Sequence, residues 1–290
     1  MKFKLYNYIL CLVAFSGLMA CEDVIDVELG ASTSQLTVDA WISNQLTTQS
    51  FRLSISQDYF NNNTTAGASG ATIVVTDNLG NTYNFTESTT TPGIYTSNFQ
   101  GAIDVTYNLS VSYQGQQYQA SATLRRVPPI DSLVFEKGEE GSPGPSGINK
   151  GYRGEFFAND IPGVGDFYRV KSYRNGTLMN DPSDLTSFQD LNVDGLPFIL
   201  PVRQSINPND QDDPGKGFDL GDVVKVELLS ISEEAFLFFD QLETQINNSG
   251  LFANPIANVP TNIKNTNPSG PKAIGFFYAS GVSTIEGTVQ

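Results

Sequence analysis

No histidine occurs anywhere in the 290-residue sequence. Ser-His-Asp and Cys-His catalysis are thereby excluded, along with the commonest metal ligand. Cysteine is nearly as scarce, with Cys11 and Cys21 the only two. Cys11 sits inside an apolar leader, so at most one thiol belongs to the folded part. That excludes a disulfide framework and thiolate-ligated structural zinc. Positive charge is short as well: 16 Lys and Arg stand against 31 Asp and Glu, a formal net charge of −15. Nucleic acid and anionic lipid surfaces both attract basic proteins, so neither fits this balance. No apolar run after the leader approaches the roughly 20 residues that span a bilayer. No Gly-rich phosphate loop follows a strand and opens a helix.

What is present begins with a processing segment. Lys2 and Lys4 precede Tyr8-Ile9-Leu10-Cys11-Leu12-Val13-Ala14-Phe15, a run of signal-peptide length. Leu18-Met19-Ala20-Cys21 resembles the lipobox read by lipoprotein signal peptidase, with Met19 where small residues are commoner. The expectation is a signal peptide over residues 1–20 and a lipid on Cys21; an ordinary secretory signal cut after Ala20, or an uncleaved anchor, is the alternative. Lipidation would remove an unpaired thiol from an oxidising compartment. Each buried CH₂ contributes roughly 0.8 kcal/mol, so several acyl chains anchor a protein durably. Glu22 and Asp23 follow at once and are similar to the surface-export signal of lipoproteins from Bacteroidota. The bland reading is a solvated acidic tether over residues 21–34. The implied location is the outer membrane, lipid-anchored, facing outwards or, as the alternative, the periplasm.

Beyond the tether, period-2 alternation dominates. Leu36, Val38, Ala40 and Ile42 share a face, as do Phe51, Leu53 and Ile55. Asp77-Asn78-Leu79-Gly80-Asn81 reads as a hairpin turn between two β-rich runs. About seven strands are expected over residues 35–127, which suits an immunoglobulin-like β-sandwich. Pro128-Pro129 reads as a boundary, because neither residue can donate to a ladder. Residues 130–290 are expected to form a second β-rich domain, sandwich or barrel-like, with one helix over about residues 231–248. Ser230-Ile231-Ser232-Glu233 fits a capping box, and Ala235, Phe239, Leu242 and Ile246 recur at helical spacing. Phe236 and Phe238 widen that apolar surface into either further packing or a partner-facing patch. The fold class is mostly β throughout. The Gly/Pro/Glu/Ser run over residues 138–147 reads as a loop.

Chemistry-bearing patterns are few. Asp190-Leu191-Asn192-Val193-Asp194-Gly195 matches the opening of a calcium loop, making Asp190, Asn192 and Asp194 candidate ligands. Position twelve is Pro201, not the bidentate Glu, so a tight Asp-Gly turn is the competing reading. Asp210, Asp212 and Asp213, with Asp219 and Asp222, read as a solvated acidic loop. A pair of carboxylates could serve a hydrolase, though no pair is singled out. Trp41, Tyr59 and Phe60 are candidates to line a binding groove; Trp41, on a strand, suits the core equally.

Several stretches together resemble a domain-of-unknown-function family of Bacteroidota lipoproteins, often encoded beside TonB-dependent receptors. They are residues 70–83, Gly93-Ile94-Tyr95, Phe188-Gln189-Asp190 with Asp194-Gly195, and Asn254-Pro255 through Asn262-Ile263, followed by Ile274-Gly275-Phe276-Phe277. The resemblance implies a non-catalytic accessory or binding subunit associated with such a receptor. It carries no catalytic residues. A stand-alone glycan- or peptide-binding module is the alternative, and a carboxylate-based hydrolase a second one.

Overall fold

The computed structural model describes residues 33–57, 63–138, 150–163, 165–180, 184–190, 194–202, 216–246 and 259–290. Residues Ser34–Gln290 form one compact unit. Its strands are, in chain order, β1 (Leu36–Ser43), β2 (Thr47–Ile55), β3 (Thr72–Asp77), β4 (Thr82–Glu87), β5 (Ile94–Phe99), β6 (Thr106–Tyr113) and β7 (Gln116–Thr123). There follow β8 (Ile130–Lys137), β9 (Tyr152–Asn159), β10 (Phe167–Arg174), β11 (Thr177–Leu178), β12 (Thr186–Gln189), β13 (Pro197–Val202) and β14 (Val223–Ile231). Helix α1 (Glu233–Ile246) and strands β15 (Lys264–Asn265), β16 (Ala273–Ser280) and β17 (Val282–Thr288) complete the chain. The protein is thus mostly β, with one helix among the described residues, as its patterning implies. The loop expected over residues 138–147 lies almost wholly outside the described residues.

The alternating strands enclose the first core. β1 buries Leu36, Val38, Ala40 and Ile42 and turns Asp39 and Trp41 away from them. Phe51, Leu53, Ile73, Val75, Tyr95, Tyr107 and Val111 join the same cluster. β4 links the two halves of the enclosing sheet: Phe85 pairs with Ile73 of β3, while Glu87 pairs with Tyr95 of β5. The β3–β4 turn is fastened by Asp77, whose Oδ1 accepts from the Leu79 and Asn81 amides and whose Oδ2 accepts from the Asn81 side chain and the Tyr83 hydroxyl.

The sheet order is β15-β7-β6-β3-β4-β5-β2-β1-β16. Both end strands come from beyond the double proline. In place of a division at Pro128-Pro129, the chain returns to complete its first sheet. β16 runs parallel to β1, in register from Leu36 with Ala273 to Ser43 with Ser280. The reason is its composition: Ala273 to Ala279 is a nearly unbroken apolar run that needs cover on both faces. Ala273, Phe277 and Ala279 enter the first core, and Phe276 and Tyr278 enter another. β16 also lies alongside β7, and a parallel bridge joins Arg125 to Ser280, so the sheet is nearly closed into a barrel.

A second core lies between the sheet β11-β10-β14-β17 and the three-stranded sheet β13-β9-β8. Phe156, Tyr168, Phe198, Phe218, Val226 and Leu228 are its buried members. The third core sits under α1, where Ala235 and Phe239 meet Leu229, Ile231, Phe276 and Tyr278. Phe236 and Phe238 pack there too, against Phe167 and Phe276. The helix is capped differently from the expected box. Ser232 is the N-cap, its Oγ accepting from the Ala235 amide. Ser230 is the buried penultimate residue of β14 and donates to the Arg125 carbonyl instead. Strand pairing claims Ser230, so the capping role falls two residues later.

Candidate functional site

Among the described residues, four places collect polar or charged side chains, three of them candidates for a site and one an ion-paired cluster around Arg174. The first surrounds Trp41. Its indole N–H donates to Ser280 Oγ at 2.6 Å, and its ring stacks on Tyr278 with centroids 6.0 Å apart. Lys171 Nζ sits 3.7 Å from the centroid of the same ring. Lost hydration, then the charge of Arg169, pushes the Lys171 amine down to about 7, against the pull of Glu227 and Asp39. Glu227 is occupied by Lys225 Nζ at 2.8 Å and the Tyr173 hydroxyl at 3.0 Å. Trp41 therefore belongs to the packing between β1, β10 and β16, and it is not among the described residues that line the groove below. Tyr59 and Phe60 lie outside the described residues, as do Cys21, Glu22 and Asp23.

The second place is acidic. Asp190 and Asp194 are brought together as the calcium-loop pattern suggests, and Asp160, at the end of β9, joins them. One carboxylate oxygen from each lies within 4.8 Å of the others. Asn192 lies outside the described residues. Asp160 and Asp190 are only 4% and 1% exposed. Their neighbours are neutral donors: the Tyr168 hydroxyl on Asp160 Oδ1 (2.5 Å), the Gly195 amide on Asp160 Oδ2 (2.9 Å) and the Gly163 amide on Asp194 (2.7 Å). The Gly165 amide reaches Asp190 at 3.2 Å. Asp166 is adjacent, and its buried Oδ2 has no hydrogen-bond partner among the described residues. Burial, then the charge of Asp160, raises its carboxyl above the ordinary range, against Arg126. Burial and the bond to Asp160 raise the Tyr168 hydroxyl. Asp160, Asp190 and Asp194 could hold a hard divalent cation through oxygen alone. Asp160 was illegible beforehand, because it lies 30 residues upstream of the motif and only the pairing of β9 with β13 brings it in.

Asp219 and Asp222, read beforehand as part of a solvated loop, are engaged instead. Arg174 pairs with both, at 2.9 and 2.5 Å. Burial raises the Asp222 carboxyl, but Arg174 and Asn175 outweigh it and hold the group below its usual range.

The third place is an open groove of about 930 Å³. Its floor is the outward face of β3, β6 and β7, where alternation puts Thr76, Asn108, Ser110, Gln119 and Ser121. One wall is α1, presenting Glu234, Leu237 and Gln241 at i, i+3 and i+7. The other is the segment from Pro260 to Thr266. A smaller cavity of about 290 Å³ shares Ser121, Glu234 and Asn262 and extends the groove towards Arg125.

Asn262 explains part of the most distinctive sequence stretch. Its Nδ2 donates to the Phe277 carbonyl at 2.7 Å, and its Oδ1 accepts from the Phe277 amide at 2.9 Å. The side-chain amide thus stands in for a strand on the open side of β16, while Ile263 is buried in the first core. Residues 254–258 of that stretch lie outside the described residues. Asn108, Ser110, Gln119 and Ser121 did not stand out beforehand, because polar residues on the outer face of a strand look like ordinary solvated positions.

No curated protein matches the sequence. A family model described as a domain of unknown function (DUF4249) matches residues 22–286, nearly the whole chain, and the protein belongs to that family.

Proposed function

We propose that the protein is a lipid-anchored, non-catalytic binding or accessory subunit at the outer membrane, working beside a TonB-dependent receptor. The observation that carries the binding role is the groove between α1 and the face of β3, β6 and β7, lined chiefly by neutral hydrogen-bonding side chains. Such concave sites with a few convergent polar groups are where ligands bind. The anchor rests on the leader and Cys21, and the receptor on the resemblance to Bacteroidota lipoproteins. A stand-alone binding module draws on the same groove. The hydrolase alternative gains little, because two of the three clustered carboxylates are buried away from any substrate.

The test is affinity purification of the full-length, lipid-bearing protein after gentle extraction. A β-barrel receptor should be recovered in stoichiometric amount. Recovery of the lipoprotein alone from several detergents would overturn the accessory role.

A further inference from the structure

We infer that the groove along α1 takes a neutral, polyhydroxylated chain, an oligosaccharide of several units. The inference rests on the reading of the protein as a binding subunit and gives that reading its ligand class.

Charge is the first argument. The chain carries a formal charge of −15, yet among the described residues the charged side chains lining the groove are Glu234 and Lys264, which cancel, as do Glu233 and Arg125 in the smaller cavity. An electroneutral groove in so acidic a protein selects an uncharged ligand: a cation would be drawn elsewhere, and an anion would be repelled by the surroundings.

Hydrogen-bonding capacity is the second. Thr76, Asn108, Gln119, Ser121 and Gln241 make no side-chain hydrogen bond to another described residue. Amides and hydroxyls both donate and accept, as sugar hydroxyls do. A peptide bound as an added strand would instead need a free backbone edge. In the floor β3 and β6 are paired on both sides, and β15 with Thr266 covers the outer edge of β7 from Gln117 to Gln119, which leaves an added strand the four residues Ala120–Thr123.

Shape is the third. The main groove runs on into the smaller cavity through shared residues, which makes a trough longer than one sugar ring needs. Leu237, 46% exposed on the α1 wall, offers an apolar surface to ring C–H groups. Among the described residues Phe276 is the groove's one aromatic, and at 5% exposed it offers no open stacking platform, so the affinity expected from them is modest.

The detergent-solubilised full chain is titrated calorimetrically with maltohexaose, cellohexaose, xylohexaose and mannohexaose. Hexagalacturonate and a Gly-Ser hexapeptide serve as charged and peptide comparisons. At least one neutral hexasaccharide should bind with a Kd near or below ~1 mM. Ser121→Trp, which obstructs the junction between groove and cavity, should abolish that binding. Gln119→Ala combined with Gln241→Ala should weaken it by ~10-fold or more. Both changes are at exposed positions, so an unchanged melting midpoint confirms folding. Failure of all four neutral probes, preference for the acidic or peptide probe, or binding indifferent to Ser121→Trp would overturn the inference. If the receptor still co-purifies, only the ligand class falls. If a hexasaccharide binds but no receptor is recovered, the accessory role falls and the ligand class stands.

Discussion

Burial takes the Lys171 amine far from its solution behaviour. Its neighbours are Asp39 and Trp41 from β1, Arg169 on β10, and Lys225 and Glu227 from β14. With a folded value of about 7 against an unfolded value of about 10.4, the unfolded chain holds a proton that the native one has lost throughout that window. Stability therefore rises with pH between about 7 and about 10.4, and below about 7 the cost of burying the cation is fully present and flat. Lys171→Met keeps the packing and removes the charge. It should raise the melting midpoint at about pH 6 by about 2–4 °C, the response to ~1 kcal/mol in a chain of this size, and flatten the rise above neutrality. Calorimetry across that range checks both. A lower midpoint in the variant at every pH would show instead that the cation over Trp41 is a net stabiliser.

At the scale of the element, β16 decides most. It is buried on both faces, pairs with β1 along its whole length, and is met on its open side by the Asn262 amide. Gly275 makes the close pairing feasible. Its φ is +89°, and a Cβ there would stand 2.1 Å from the Val38 carbonyl oxygen. Gly275→Ala should cost about 2–6 kcal/mol, combining backbone strain with backbone overpacking. Urea unfolding measures it directly. A loss below about 0.5 kcal/mol would mean that β16 shifts along β1 without penalty. Helix α1 gives the complementary lesson. Its apolar spacing was readable, and Ala235 and Phe239 are buried as that spacing implies, yet Ile246 is exposed and the cap lies two residues after Ser230. Local patterns say that a helix begins near here; the pairing of β14 says where.

For the whole molecule, the closure of the first sheet by residues 259–280 makes the sequence boundary at Pro128-Pro129 a poor place to cut. A fragment of residues 34–129 would leave β1 as an open edge and uncover the side of the core that Ala273, Phe277 and Ala279 fill. It should show no cooperative urea transition by circular dichroism. Appending residues 259–281 through a flexible linker should restore one. A fragment that unfolds cooperatively by itself would reinstate the two-domain division.

The sequence by itself determined the strands whose alternation is strict, the hairpin at Asp77, the helix and the shortage of catalytic residue types. These follow from side-chain period, turn chemistry and composition, which act over a few residues. β11, β12 and β15, of two or four residues, were too short to carry a period. Tertiary structure alone decided that β16 returns to β1, that Asp160 joins Asp190 and Asp194, and that Asn108, Gln119 and Gln241 face one groove. Each depends on contacts between residues far apart in the chain, and those are settled by which apolar surfaces must be covered together, a condition no local pattern records.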